Sequence, residues 1–145
     1  MHILIEKNAR RLTFVSDGGT LCFPIALGKC PVGRKEKEGD GKTPEGEYYV
    51  CLKKMGKYGP SLGISYPNTQ DALLSGADEH LCSLIQSAEK NKTRPPWGSF
   101  MGGEIYIHAG GTDSDWTAGC IALSDADAQT LYDLCPEGTC VTILP

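Results

Sequence analysis

The stretch LTFVSDGGTLCFPIAL, residues 12–27, constrains the fold most tightly. Two apolar runs, Leu12–Ser16 and Thr20–Leu27, flank Asp17-Gly18-Gly19. A polar, glycine-rich turn between such runs lays them side by side as an antiparallel hairpin. The same punctuation recurs along the chain. Eighteen Gly and nine Pro among 145 residues leave room for many short strands and few long helices. The apolar or alternating segments ILI (3–5), EGEYYVCLKK (45–54), EIYIH (104–108) and TCVTILP (139–145) read as further strands. RPPWGSFMGG (94–103) reads as loop. A helical stripe of Ala77, Leu81, Leu84, Ile85 and Ala88 runs through residues 71–92. Ser124, with Asp127 three positions on, opens a second helix over 125–135, and Pro136 and Gly138 stop it. The reading is mainly β with one or two helices inserted. That order favours a curved sheet or sandwich over repeated βαβ units.

Composition narrows the function. Hydrophobic residues make up 40% and charged ones 22%, as in an ordinary globular chain of one domain, residues 1–145. The net charge of −4 argues against nucleic acid as a partner. The mixed run GRKEKEGDGK (33–42) reads as a solvated loop. No apolar run approaches the ~20 residues of a membrane span. The start MHILIEKNARR carries no secretory signal pattern, so the expected location is cytoplasmic if this N-terminus is native and the cell envelope if a leader was removed. Seven cysteines without a C-x-x-C pair point to reduced thiols. Cys22, Cys51, Cys82 and Cys135 sit among apolar residues and are expected to be small buried hydrophobes.

IYIHAGGTDSDWTAGCIALSD, residues 105–125, concentrates the chemistry. His108 ends an apolar strand and Cys120 follows twelve residues later. A thiol nucleophile needs a base within hydrogen-bond reach, because the thiolate is the reactive form. It also needs backbone N–H groups aimed at the developing oxyanion, and Gly119 permits that close approach. Gly110 and Gly111 let the chain turn sharply after the His. Taken singly, His108 could be a hydrogen-bonded strand end and Cys120 a small buried residue. Together, in this glycine-rich setting, they form a candidate catalytic pair.

These residues resemble the catalytic motif of the L,D-transpeptidase catalytic domain, the YkuD-type family: a strand ending in His, a variable loop, then Ser/Thr-x-Gly-Cys and an apolar residue. The match falls on His108 and on Thr117-Ala118-Gly119-Cys120-Ile121. EKNARRLTFVSDGG (6–19) is similar to the family's opening hairpin. Thr43-Pro44-Glu45-Gly46-Glu47-Tyr48 resembles its Thr-Pro-x-Gly-x-[YF] segment. LGISYPN (62–68), followed by a helix, and DWTAGCIAL are similar to its YafK-like branch. The resemblance implies a β-sandwich with the Cys in a groove and no cofactor. It implies Cys120 as nucleophile, His108 as base and later acid, the Ala109 carbonyl orienting the imidazole, and N–H groups near Gly119 and Cys120 holding the oxyanion. The implied substrates are peptidoglycan stem peptides or muropeptides. The Cys would attack the carbonyl on the L-centre of the third residue and expel the terminal D-residue. The thioester would then pass to an amine or to water. It further implies acylation of Cys120 by carbapenem-type β-lactams.

Two positions depart from the family pattern. Ala118 stands where many relatives hold His, and Ala122 where many hold Arg or Asn. Arg94 is the candidate replacement for the missing cation. Thr117, Trp116, Tyr66 and Arg94 are the candidate substrate-binding residues, and Trp97 could wall the groove with Trp116. Asp113 and Asp115 are expected to face solvent or a substrate ammonium. Rival readings are an unrelated cysteine peptidase, a peptidoglycan-binding module with a decayed site, and a metal site from His108, Cys120, Cys135 and Cys140. Papain-like and sortase-like enzymes usually separate Cys and His more widely or place the Cys first. The cysteine and histidine spacing matches no zinc template, so no metal is assigned.

Overall fold

The computed structural model describes residues 1–145. Eight strands and three helices follow in the order β1 (His2–Glu6), β2 (Arg11–Ser16), β3 (Gly19–Pro24), β4 (Gly46–Gly56), β5 (Gly59–Ile64), α1 (Thr69–Ser75), α2 (Glu79–Asn91), β6 (Tyr106–His108), β7 (Ile121–Ala122), α3 (Asp125–Leu134) and β8 (Cys140–Leu144). The expected hairpin is present: Ser16 pairs with Gly19 around Asp17-Gly18, and Leu12 pairs with Phe23. Pro24 ends the regular pairing of β3, since it has no N–H to donate.

The strands form one ladder in the order β3-β2-β1-β8-β4-β5-β6-β7. Alternation sorts the faces. Ile3 and Ile5 on β1, Leu12 and Phe14 on β2, and Val141 and Ile143 on β8 all point into one buried core. β4 is where the sheet bends. Its first residues pair with β8 and its later ones with β5, with a bulge between Val50 and Leu52. Period-2 alternation fails there, and Tyr48, Tyr49 and Val50 are consecutively buried. Beyond β3 the chain reaches the far end of the ladder through the bridge Ala26–Ala122. The sheet therefore curls until its two ends meet. It is mainly β, as expected, but with three helices rather than one or two, and its strands form one curled ladder.

The stripe expected over residues 71–92 is split into two helices. Gly76 adopts φ +79 and caps α1, and the Asp78 side chain then accepts the Leu81 N–H to open α2. Ile85 and Ala88 are buried, whereas Leu84 is exposed. Ser124 caps α3 through the Asp127 N–H, and the helix ends at Leu134. All seven cysteines are free. Of the four expected to be buried, only Cys135 is. Cys51 and Cys82 are half-buried and Cys22 is exposed, because it sits on the outward face of β3 opposite Thr13. No helix is long and apolar enough to cross a membrane.

Candidate active site

β6 is only three residues long, yet it sits between two partners. Ser61, Leu62 and Gly63 of β5 pair with His108, Ile107 and Tyr106. On its other side Ile107 lies beside Ile121 and His108 beside Ala122, in parallel register. Ile107 and Ile121 point to the core. Tyr106, His108, Ala122 and, one residue before β7, Cys120 therefore share the opposite face. His108 and Cys120 are diagonal neighbours on that face. Such pairs stand roughly 7–8 Å apart between Cα atoms, within side-chain reach. Ala122 lies directly beside His108 and is fully buried. The side chain that departs from the family pattern thus forms a small floor under the imidazole.

The imidazole is held in one tautomer. His108 Nδ1–H donates to the Ala109 carbonyl at 2.5 Å, which leaves Nε2 free to accept a proton. Tyr58, from the β4–β5 turn, stacks on the ring at 4.7 Å between centroids, and Trp116 packs edge-on at 5.7 Å. Burial pushes the imidazole below its ordinary value, against the Ala109 hydrogen bond. Trp116 is fixed by its indole N–H, which donates to Gly111 at 3.0 Å. Gly110 has φ +121, and a Cβ there would lie 2.6 Å from the Trp116 ring, so glycine is what lets the ring close over the strand end. Trp116 thus walls the site through His108.

Cys120 is half-buried. Its sulfur accepts the Tyr106 N–H at 3.4 Å and its S–H donates to the Glu104 carbonyl at 3.5 Å. Glu104 adopts φ +55, a strained conformation for a residue with a side chain, and this sits directly at the thiol. Burial pushes the thiol above its ordinary value. The Tyr106 N–H and the nearby Lys35 cation oppose that push, and Glu104 adds to it. Folding thus shifts the thiol up and the imidazole down.

The turn that delivers Cys120 is tied by Thr117. The Thr117 hydroxyl donates to the Cys120 carbonyl at 2.8 Å and accepts the Gly119 N–H at 3.1 Å. Thr117, expected from sequence to bind substrate, is buried and ties the turn instead. The Gly119 N–H is consumed by this bond. The Cys120 N–H has no partner within the chain and is the donor left for an oxyanion. Gly119 also allows close packing, since a Cβ there would meet the Lys42 carbonyl at 2.7 Å.

The Thr-Pro-x-Gly segment clamps the loop on that side. Thr43 is fully buried, its hydroxyl accepts the Gly28 N–H at 3.1 Å, and its carbonyl accepts the Lys7 ammonium at 2.7 Å.

Three expectations are corrected by packing. Tyr66 does not face a substrate: it is fully buried and its hydroxyl donates to the Met101 carbonyl at 2.9 Å. Asp115 is half-buried and is spent on partners within the chain. It holds Arg10 at 2.8 Å and accepts the Leu27 N–H at 2.9 Å. Burial pushes its carboxyl up, but those two donors outweigh this and hold it below the ordinary range. The run 33–42 is not simply solvated, because Lys35 and Asp40 form an ion pair inside it, at 2.8 Å with side chains 3% and 9% exposed. Asp113 is exposed.

Arg94 is exposed and its guanidinium stands 5.1 Å over the Trp97 ring, which in turn packs edge-on against Tyr106 at 5.7 Å. Lys54 lies 4.9 Å from the same Tyr106 ring. The face carrying Cys120 is thus bordered by two cations on aromatic supports. Tyr58, Tyr106 and Lys54 were missed from sequence; alternation along β6 was the available signal for Tyr106. No cluster of three or more His, Cys, Asp or Glu side chains could hold a metal ion. A cavity of about 430 Å³ at Lys7, Arg10 and Val32 contains no thiol or hydroxyl side chain. A shallower one of about 390 Å³ borders Tyr58, Gly110 and Trp116, next to His108.

The fold and this strand-end His with a following Gly-Cys agree with the family comparison. The YkuD family, L,D-transpeptidase catalytic domain, matches residues 1–143, and the chain belongs to that family. No curated protein matches it. Among solved structures it resembles the helical cell shape determining protein Pgp2 from Campylobacter jejuni, with 23% identity and a TM-score of 0.66 over 97% of this chain and 46% of that one. It resembles an L,D-transpeptidase from Mycobacterium smegmatis with 15% identity and a TM-score of 0.58, over 99% and 58%. It also resembles L,D-transpeptidase 1 from Mycobacterium tuberculosis with 13% identity and a TM-score of 0.57, over 99% and 61%. The chain spans roughly half the length of these structures.

Proposed function

We propose that this chain is a cysteine acyltransferase acting on peptidoglycan stem peptides, as an L,D-transpeptidase, an L,D-carboxypeptidase or both. The observation that carries the reading is the placement of Cys120 and a tautomer-fixed His108 on one face of β6–β7, in a chain of the YkuD family.

The reaction follows from that placement. His108 Nε2 takes the Sγ proton as the sulfur attacks the carbonyl on the L-centre of the third stem residue. The C–S bond forms, and the Cys120 N–H receives the developing oxyanion. Collapse breaks the amide bond, and imidazolium returns the proton to the departing amine of the terminal D-residue. The thioester is then opened by an amine or by water, with His108 again as base. Arg94 and Lys54 border the face where the stem's carboxylates would lie. Ala118 and Ala122 offer no polar side chain to position a bulky acceptor, and positioning is most of what a bimolecular transfer gains from its enzyme. Water needs little positioning, so hydrolysis is the favoured second half-reaction. Such fragments would be met in the envelope or, during recycling, in the cytoplasm.

The test is mass spectrometry of a purified disaccharide tetrapeptide after incubation, with and without an acceptor amine. Conversion to tripeptide as the main product supports the reading. Unchanged tetrapeptide in both arms refutes it, and mostly cross-linked dimer refutes the preference for hydrolysis.

A further inference from the structure

Lys35 is an unusual residue to find under a loop. Its side chain is 3% exposed, and a buried ammonium is costly unless it is paired. Its pairing is incomplete. One N–H goes to Asp40 Oδ1 at 2.8 Å, and this is the only hydrogen bond the ammonium makes within the protein. Asp40 is better satisfied, because it also accepts the backbone N–H groups of Glu36, Lys37 and Lys42 at 2.9–3.2 Å. Burial works against its charge, yet Lys35 and these N–H groups hold its carboxyl down at about 2. The loop is therefore wound around a permanent carboxylate, and that carboxylate fixes the ammonium in place.

The place it is fixed in is the nucleophile turn. Loop and turn are pressed together at their backbones: a Cβ on Gly28 would meet the Gly41 carbonyl at 2.2 Å and Gly119 Cα at 3.0 Å. A Cβ on Gly119 would lie 3.6 Å from Lys35 Nζ. The ammonium thus stands against the residue before Cys120, with two N–H groups unspent. The other groups facing the thiol are the Tyr106 N–H, the Glu104 carbonyl and side chain, and the imidazole of His108 on the same face. None of these is a lysine or arginine cation; Lys35 supplies that charge. Arg94, the cation expected from sequence, stands over Trp97 instead.

We propose that Lys35, anchored by Asp40, is the positioning cation of the site: its ammonium stabilises the Cys120 thiolate when the Sγ proton moves to His108 Nε2. The proton passes from sulfur to nitrogen, and Lys35 takes no part in the transfer. It does from a separate loop what Ala118 and Ala122 cannot do from the motif itself. The inference rests on Cys120 as the nucleophile but requires no peptidoglycan substrate, so it can fail or hold separately from the proposed function.

The experiment follows Cys120 alkylation by iodoacetamide against pH, read on the Cys120 peptide by mass spectrometry so that the other six thiols do not interfere. Lys35→Met keeps the stem and removes the charge. Its apparent thiol pKa should rise by about one unit, making alkylation about tenfold slower at neutral pH and equal at high pH. Lys35→Arg keeps the charge and should stay near the unaltered profile. An unchanged profile in folded Lys35→Met, or equal shifts in both variants, overturns the proposal. A second measurement needs no change at Lys35. With 15N-labelled lysine, the Lys35 Nζ resonance should show a titration step at the Cys120 midpoint, and Cys120→Ser should abolish it. Absence of that step in the unaltered protein also overturns the proposal.

Discussion

Thr117→Val is the sharpest test of how Cys120 is held. Valine matches threonine in shape, so packing at this buried position is kept. What is lost is one hydroxyl serving two backbone groups, the Gly119 N–H and the Cys120 carbonyl. Leaving the buried Gly119 N–H without an acceptor costs about 1–3 kcal/mol, and losing the bond to the less buried Cys120 carbonyl about 0.5–1.5 kcal/mol. The sum is about 1.5–4.5 kcal/mol, which for a chain of this size lowers Tm by about 5–15 °C. Thr117→Ser keeps the hydroxyl and gives up only a methyl, so it should lose about 1 kcal/mol. The two variants are compared by thermal unfolding and by turnover of a stem tetrapeptide. The turn carries Cys120, and a small misplacement of a reacting group can cost ~10²-fold. The valine variant should therefore lose kcat with little change in KM. If both variants are equally stable and active, the hydroxyl does not hold the turn. If KM rises while kcat is unchanged, Thr117 contacts substrate and the reasoning is wrong.

Four further outcomes follow from the same geometry. His108→Gln removes the proposed base while keeping its size, so turnover should fall roughly 10²–10⁴-fold, measured at saturating substrate. His108 has its pKa lowered by folding, so the unfolded chain binds the extra proton first; stability should fall as pH drops through about 6.5, and Tm against pH should lose that component in His108→Gln. Gly110→Ala forces a Cβ into the Trp116 ring at a positive φ and should destabilise the chain by about 2–4 kcal/mol in urea unfolding, with the edge-on packing of Trp116 on His108 lost. The resemblance to L,D-transpeptidases implies that a carbapenem adds one drug mass to the intact protein, and Cys120→Ala should abolish that adduct.

Local signals were legible where one residue type does one job. The Asp17-Gly18 hairpin, the Ser124 cap and the strand-end His108 followed by Gly-Cys could all be read from the chain. What escaped depends on contacts between distant segments. The break at Gly76 is masked by apolar spacing that continues across it, although Asp78 three residues before Leu81 marks a fresh helix start. Tyr66, a candidate substrate-binding residue within LGISYPN, is buried because the fold brings the Met101 carbonyl over to take its hydroxyl. Arg10 and Asp115 are 105 positions apart, so their pairing had no local signature. Lys35 and Asp40 are close in sequence, yet within a run of alternating charges their burial against the Cys120 turn cannot be seen. Tyr58 joins His108 only because the β4–β5 turn folds over β6.

The central claim is that Cys120 carries the acyl group. The direct measurement is intact-protein mass spectrometry of acid-quenched mixtures of the protein with a stem tetrapeptide, taken within the first turnover. The account predicts a mass increase equal to the stem tripeptide acyl group, located on the Cys120 peptide and absent in Cys120→Ala, which should also release no D-residue. Release of the D-residue by Cys120→Ala, or an adduct on any of the other six cysteines, would contradict it.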